Sequence, residues 1–219
     1  NPEPIKTITY RELRELAYMG ATVLHEDAIF PVRAAGIPVN IKNTNQPEDR
    51  GTMIVSESAE HCDHIITGIA GKKGMSVINI EKDKMNSEIG FGKNVLRALE
   101  KSNVSFEHMP SGVDTMSVVI ATEALAGKET AIIDEIKSRV HPDQIYIESN
   151  LALIAVVGRG MKSARGTAAI LFSALADARV NIKMIDQGSS ELNIIVGVEE
   201  EDFEVAIKAI YKRFIGINQ

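Results

Sequence analysis

The chain has one cysteine, no excess of basic residues and no long apolar run, and each absence removes a class of function. Cys62 alone cannot form an internal disulfide, which points to a reducing, cytoplasmic setting. Lysines and arginines number 24 against 30 acids, a formal charge of −6. They are scattered among those acids, so no concentrated basic patch is available for nucleic acid or an anionic membrane surface. No stretch approaches the ~18 apolar residues of a membrane-spanning helix. There is no phosphate-cradling P-loop, no GxSxG turn and no dinucleotide fingerprint, and the "GFG" at residues 90–92 is too short to count. No signal peptide precedes the first helix, and the chain opens Asn1-Pro2-Glu3 without an initiator methionine, so its natural N-terminus is expected upstream. What is present is 219 residues of 44% hydrophobic content, enough to bury one large core or two to three small ones without staples.

Local patterns divide this length. Thr9 is an N-cap for "YRELRELAYM", with Glu12 completing a capping box and Leu13, Leu16 and Ala17 forming an apolar stripe. "ATVLHEDAIFPVRAAG" reads as a second helix closing at Gly36, kinked or broken at Pro31. Short strands "IPVNIKNT" and "GTMIVS" follow around a polar turn. Residues 1–57 are thus a helical pair with a small strand pair, too little for a complete α/β domain, and residues 58–63 are a polar linker. Beyond it come strands at 64–70 and 75–80, a helix at 89–102, strands at 104–109 and 115–121, a helix at 128–140 and a strand at 144–148. A second round runs through a strand at 151–157, a helix at 165–178, strands at 181–185 and 191–198, and a helix at 202–214.

A shift of 76 residues superposes the rounds, taking Met75 to Leu151, Met85 to Met161, Gly90 to Gly166, Val104 to Val180 and Gly112 to Gly188. It is taken to hold without a gap, so that Val118 falls on Ile194. The fold class is α+β, two ferredoxin-like βαββαβ units. The second unit ends without its last strand while 64–70 stands unpaired, so 64–74 with 149–219 should form the second unit and 75–148, the first unit, should be inserted within it.

A glycine opening the first helix of such a unit leaves backbone amides free for a carboxylate or phosphate. In the first unit these belong to Glu88, Ile89 and Gly90, preceded by Met85, Asn86 and Ser87, and Glu107 and Asp114 bring acids for an ammonium. Together they suit a free amino acid, particularly a basic one. The plainer alternative is that Gly90 serves packing and both acids are solvated. The second unit has Lys183 in place of Glu107, so the first is the better candidate. His61, Cys62 and His64 could be imagined as metal ligands but lack a second group of matching spacing, so a surface linker is the simpler account. His25 with Glu26 and Asp27 is read as structural or exposed rather than catalytic, and Met19, Met85, Met109, Met116 and Met161 as filling cores and loops. The acids at 199–202 favour the start of the last helix.

"ITYRELRELAYMGATVLHEDAIFPV" resembles the end of the catalytic domain of aspartokinase, "IPVNIKNTNQPEDRGTMI" its last strands, and the repeats its paired ACT domains, "VNIKMIDQGSSELNIIVGV" above all. The resemblance covers essentially the whole chain. It implies an α/β remnant of the amino-acid kinase domain (1–57) ahead of the two ACT units. The parent activity would transfer phosphate from ATP to L-aspartate with magnesium, and these residues would hold no cofactor and not catalyse alone. The implied partners are an amino-acid effector, lysine or else threonine, and a second copy in an ACT-mediated homodimer. The implied effector site is Met85, Ser87, Glu88, Ile89, Gly90, Phe91, Phe106, Glu107 and Asp114. Thr22 and Glu26 stand where many relatives carry lysine and proline, which weakens nucleotide contact by the remnant. The rivals are a stand-alone amino-acid sensor, disfavoured by 1–57, and a small complete enzyme, disfavoured by the lack of a convergent catalytic set.

Overall fold

The computed structural model describes residues 3–21, 26–56 and 64–216. The linker 58–63 and Thr22 lie outside them. In the first segment β1 (Thr7–Thr9) runs straight into α1 (Tyr10–Tyr18), and Thr9 ends the strand and caps the helix. The capping box forms as expected: the Glu12 amide donates to the Thr9 hydroxyl (3.3 Å) and the Thr9 amide to the Glu12 carboxylate (2.9 Å). Helix α2 (Glu26–Ala34) runs through Pro31, whose carbonyl still accepts from Ala35, so the proline does not end it. Strands β2 (Val39–Ile41) and β3 (Thr52–Val55) follow, and β1 joins β3 in parallel to give the order β1-β3-β2.

The two units share one five-stranded sheet. Strand β4 (Gly68–Glu81) spans both 64–70 and 75–80, expected as separate strands, and β6 (Gln144–Val157) likewise fuses 144–148 with 151–157. They pair antiparallel along most of their length, interrupted by register shifts between Lys72 and Val77. There the buried Ser76 hydroxyl bonds those of Thr122 and Ser149, both at 2.9 Å. With β5 (Thr115–Ala121), β7 (Met184–Asp186) and β8 (Asn193–Glu199) the order is β5-β4-β6-β8-β7. The stretch 68–72 of β4 lies beside 153–157 of β6, at the edge of the second unit's strands.

Alternation along these strands sorts the core. Ile78, Ile80, Val118 and Ile120 face α3 (Phe91–Lys101) and α5 (Glu129–Val140), with the short α4 (Thr122–Leu125) between. Ile154, Val156, Ile194 and Val196 face α6 (Thr167–Asp177) and α7 (Phe203–Gly216). Met75, Val77, Val119, Leu153 and Ile195 face the other way, onto Leu13 and Leu16 of α1 and Met19 at its end. The imidazole of His108, bridged to β5, meets Asp186 of β7 at 2.8 Å although these strands are the two ends of the sheet. The sheet is therefore curled toward α1, as bulges in its two longest strands allow.

The 76-residue shift holds through α3 and α6, which begin at Phe91 and Thr167, but not through the hairpins. His108 opposes Val119 and Met184 opposes Gly197. The second hairpin therefore has two more residues, and Val118 corresponds to Val196 rather than Ile194. The expected strand 104–109 is reduced to bridges at His108 and Ser111.

One buried carboxylate joins the first segment to the second unit. Glu12, with 0% exposure, accepts from the Thr67 hydroxyl (2.5 Å), the Arg159 amide (2.9 Å) and the Arg159 guanidinium (2.9 Å). Burial pushes its pKa up, but the bonds from Thr67, Thr9 and Arg159 outweigh burial and hold it below the usual 4.5. Glu12→Ala strands Arg159 and Thr67 and is expected to cost about 3–5 kcal/mol, read as a lower urea midpoint. Because the folded-state pKa is depressed, this contribution is present above pH 4.5 and is lost as pH falls below it. Glu12→Gln should flatten the stability profile in that acid window.

Candidate functional site

Beyond β4 the first unit's chain makes a loop that the facing hairpin fastens. The Lys82 amide donates to the Asp114 carbonyl (2.9 Å), the Lys84 amide to the Asp114 carboxylate (2.8 Å) and the Asn86 amide to the Val113 carbonyl (3.1 Å). The Asp83 amide donates to the Asp143 carboxylate (2.7 Å). A single 3₁₀ turn, Met85–Ser87, follows: Met85 plugs the core beneath, and the Ser87 hydroxyl donates to the Lys84 carbonyl (2.8 Å). Glu88 pairs with Lys82, and Ile89 stands fully in solvent at 102% exposure. Gly90 takes φ +87°, a left-handed conformation that glycine adopts without strain, and turns the chain into α3 at the buried Phe91. Of the amides expected to be free, that of Glu88 donates to the Met85 carbonyl (3.0 Å), and the Phe91 amide donates to the Glu88 carbonyl (3.3 Å). No side chain caps α3, so the positive end of the helix and the other amides of its first turn are left for an anion. The second unit repeats the device, with Gly166 at φ +85° before α6.

Seven of the nine expected residues gather here: Met85, Ser87, Glu88, Ile89, Gly90, Phe91 and Asp114. Phe106 lies exposed beside Glu107, and Glu107 itself is placed on the other face of the sheet. A bulge turns it there. The Glu107 amide donates to the Val119 carbonyl (2.8 Å) while the Val119 amide donates to the His108 carbonyl (2.9 Å), so two residues oppose one and both lean toward α1. The expected place of Glu107, alongside the helix start, is thus not the one it takes.

The Glu107 carboxylate accepts from Lys72 (2.6 Å) and from the Tyr18 hydroxyl of α1, and the Lys72 ammonium lies 4.4 Å from the centre of the Tyr18 ring. Burial raises the Glu107 pKa, but Lys72 and Tyr18 together outweigh burial and lower it. Burial and the Glu107 charge push the Tyr18 phenol up to about 12. The depressed carboxyl contributes above its ordinary value, and the raised phenol contributes up to pH 10 and loses that contribution toward 12, so the cluster persists across neutral pH. Lys72 and Tyr18 were not anticipated, yet half the signal was in the sequence. The 76-residue shift carries Lys72 to Glu148 and Glu107 to Lys183, and Glu148 pairs with Lys183: the same contact with its charges exchanged. Glu199 also meets Lys183 (3.0 Å), and the two carboxylates hold its ammonium well above the usual lysine pKa.

Other singled-out residues play smaller parts. Met19, Met85, Met116 and Met161 are buried, and Glu200–Asp202 forms a turn ahead of α7. His25, His61 and Cys62, and the side chains of Glu26 and Asp27, lie outside the described residues. Among the described residues no group of three or more His, Cys, Asp or Glu is arranged to hold a metal ion. Asp114→Ala removes the acceptor of the Lys84 amide. It is expected to weaken the loop by about 1–2 kcal/mol, seen as roughly tenfold faster amide hydrogen exchange over residues 82–86.

Known proteins share this arrangement. Residues 154–214 match the model of an ACT domain family. Aspartokinase 3 of Bacillus subtilis is 43% identical over 98% of this chain and 47% of its own length. The crystal structure of the Clostridium acetobutylicum aspartate kinase superposes with a TM-score of 0.93 at 58% identity, over 98% of this chain and 49% of that one. Escherichia coli aspartokinase III in complex with lysine and aspartate shares the fold at a TM-score of 0.77 and 22% identity, over 97% of this chain and 46% of that one. The match runs through the first segment and both units, and the chain, which spans about half the length of the curated relative it matches, belongs to the aspartokinase family.

Proposed function

We propose that this chain is the regulatory region of an aspartate kinase, an enzyme that phosphorylates L-aspartate with ATP and magnesium, and that it senses an end-product amino acid for feedback inhibition. Lysine is the favoured effector and threonine the alternative. The observation that carries the proposal is the uncapped start of α3, held against the Asp114 hairpin in a chain of this family. The first turn of α3 would take the effector carboxylate, and Asp114 and Glu88 would face its ammonium groups. The lysine in the Escherichia coli structure supports that choice. The nucleotide and metal are assigned to parts of the parent protein other than these residues.

A second copy would cover the site. Ile89 and Val113, at 102% and 64% exposure, leave apolar side chains in solvent beside it. Residues 144–148 of β6 pair with β4 on one side while β8 meets β6 only from Leu151 onward. Effector binding would then reorient one protomer against the other, for which a coupling of ~1–3 kcal/mol suffices. A cytoplasmic homodimer follows. A stand-alone sensor is the rival, disfavoured because the similarity extends through the first segment.

Calorimetric titration with lysine, threonine and methionine, with light scattering alongside, tests this directly. Lysine should bind saturably to a dimer, and Asp114→Asn should weaken binding roughly tenfold, the range of one charge-assisted hydrogen bond. A folded dimer that binds none of the three amino acids would leave the units a role in assembly alone.

A further inference from the structure

Helix α1 is fastened to the second unit by its first turns and reaches the first unit with its last, by contacts that differ in burial. Its first turns belong to the second unit. The fully buried Glu12 bonds Thr67 and Arg159, and the Asn193 side-chain amide donates to Glu15 (2.7 Å). Its last turn reaches the first unit at Glu107, beside Lys72 of the second unit's edge stretch. Tyr18, 54% exposed, donates to Glu107 on the hairpin that also carries Asp114, and Lys72 sits over the Tyr18 ring. Tyr18 lies six residues, about 9 Å of helix, beyond Glu12.

We infer that α1 is a lever that carries the state of the first unit's Met85–Ser87 loop to the N-terminal segment, with Glu12 as its pivot and the Tyr18–Glu107–Lys72 cluster as its releasable catch. This deepens the regulatory proposal above and rests on it. The buried end is the pivot because opening it strands the Arg159 guanidinium and the Thr67 hydroxyl without an acceptor. The other end can release because none of its groups is fully buried and Tyr18 is half exposed, so water replaces its bonds at lower cost than at Glu12. The path is short. The loop is tied to Asp114 and Val113, the hairpin through these residues pairs at His108 with β5, and Glu107 is the next residue. At the far end Thr9 both caps α1 and ends β1, so a tilt of the helix moves the strand that pairs with β3.

The repeat sharpens the assignment. The charge-exchanged pair Glu148–Lys183, which like Lys72–Glu107 joins one unit to the other, takes Glu199 as its third member where Lys72–Glu107 takes Tyr18. Two equivalent ion pairs thus join the units, but only Lys72–Glu107 is read by the tyrosine of α1.

Hydrogen exchange of the whole purified chain, followed by mass spectrometry, tests the lever. With lysine, the wild type should show a severalfold change over residues 82–90 and also over 7–18. Tyr18→Phe, which removes one hydroxyl and keeps the ring, should bind lysine within about twofold of wild type and keep the loop response while losing the response at 7–18. A response at 7–18 as large as in the wild type would overturn the lever. A second arm needs no effector: Asp114→Ala should speed exchange at 7–18 as well as in the loop, and the double variant with Tyr18→Phe should confine the change to the loop. Equal transmission in single and double variants overturns the lever. If none of the three amino acids binds, the regulatory proposal fails, and this second arm still decides the lever.

Discussion

Everything in the larger part of this molecule hangs on the antiparallel pairing of β4 with β6. Each strand is 14 residues long, and each serves one unit with its first stretch and the other unit with its second. Neither unit can complete its sheet without the other, because the edge strand of each is a continuation of the first strand of its neighbour. The bulges between Lys72 and Val77 let one continuous ladder turn between two helix layers. The same curl brings His108 and Asp186, from opposite ends of the sheet, within a hydrogen bond.

The polar contacts divide by depth. Glu12 holds its charge in a buried site because Thr67, Thr9 and Arg159 replace the water it has lost, which makes the junction of α1 with the second unit specific and stiff. Glu107 and Asp114 act in half-buried or exposed positions, where bonds form and break at small net cost. A stiff junction on one unit and a yielding one on the other is the arrangement a sensor needs, since a ligand shifts an equilibrium only by as much as its contacts differ between the two states.

Much of the fold was legible one residue at a time. Thr9 and Glu12 announced the capping box, Gly90 and Gly166 the starts of two matched helices, and the shared spacing the duplication. The merging of strands was not legible. The "GKKG" at 71–74 and "ESN" at 148–150 resemble turns, and only the partner strand, bonded on both sides of the bulge, carries the chain through. The hairpin insertion hid for a related reason: apolar alternation repeats every two residues, so a two-residue difference leaves the pattern in phase.

By itself the sequence determined the local chemistry and its repetition: which residues cap, which glycines turn, where acids and amides recur, and which family the pattern resembles. Periodicity and spacing are properties of neighbours along the chain, so they are complete before folding. The tertiary structure alone decided which face Glu107 takes, that Lys72 and Tyr18 meet it, and that Glu12 ends buried against Arg159. These outcomes turn on a bulge and on a curl, and both arise from contacts between residues far apart in sequence, to which no local pattern responds.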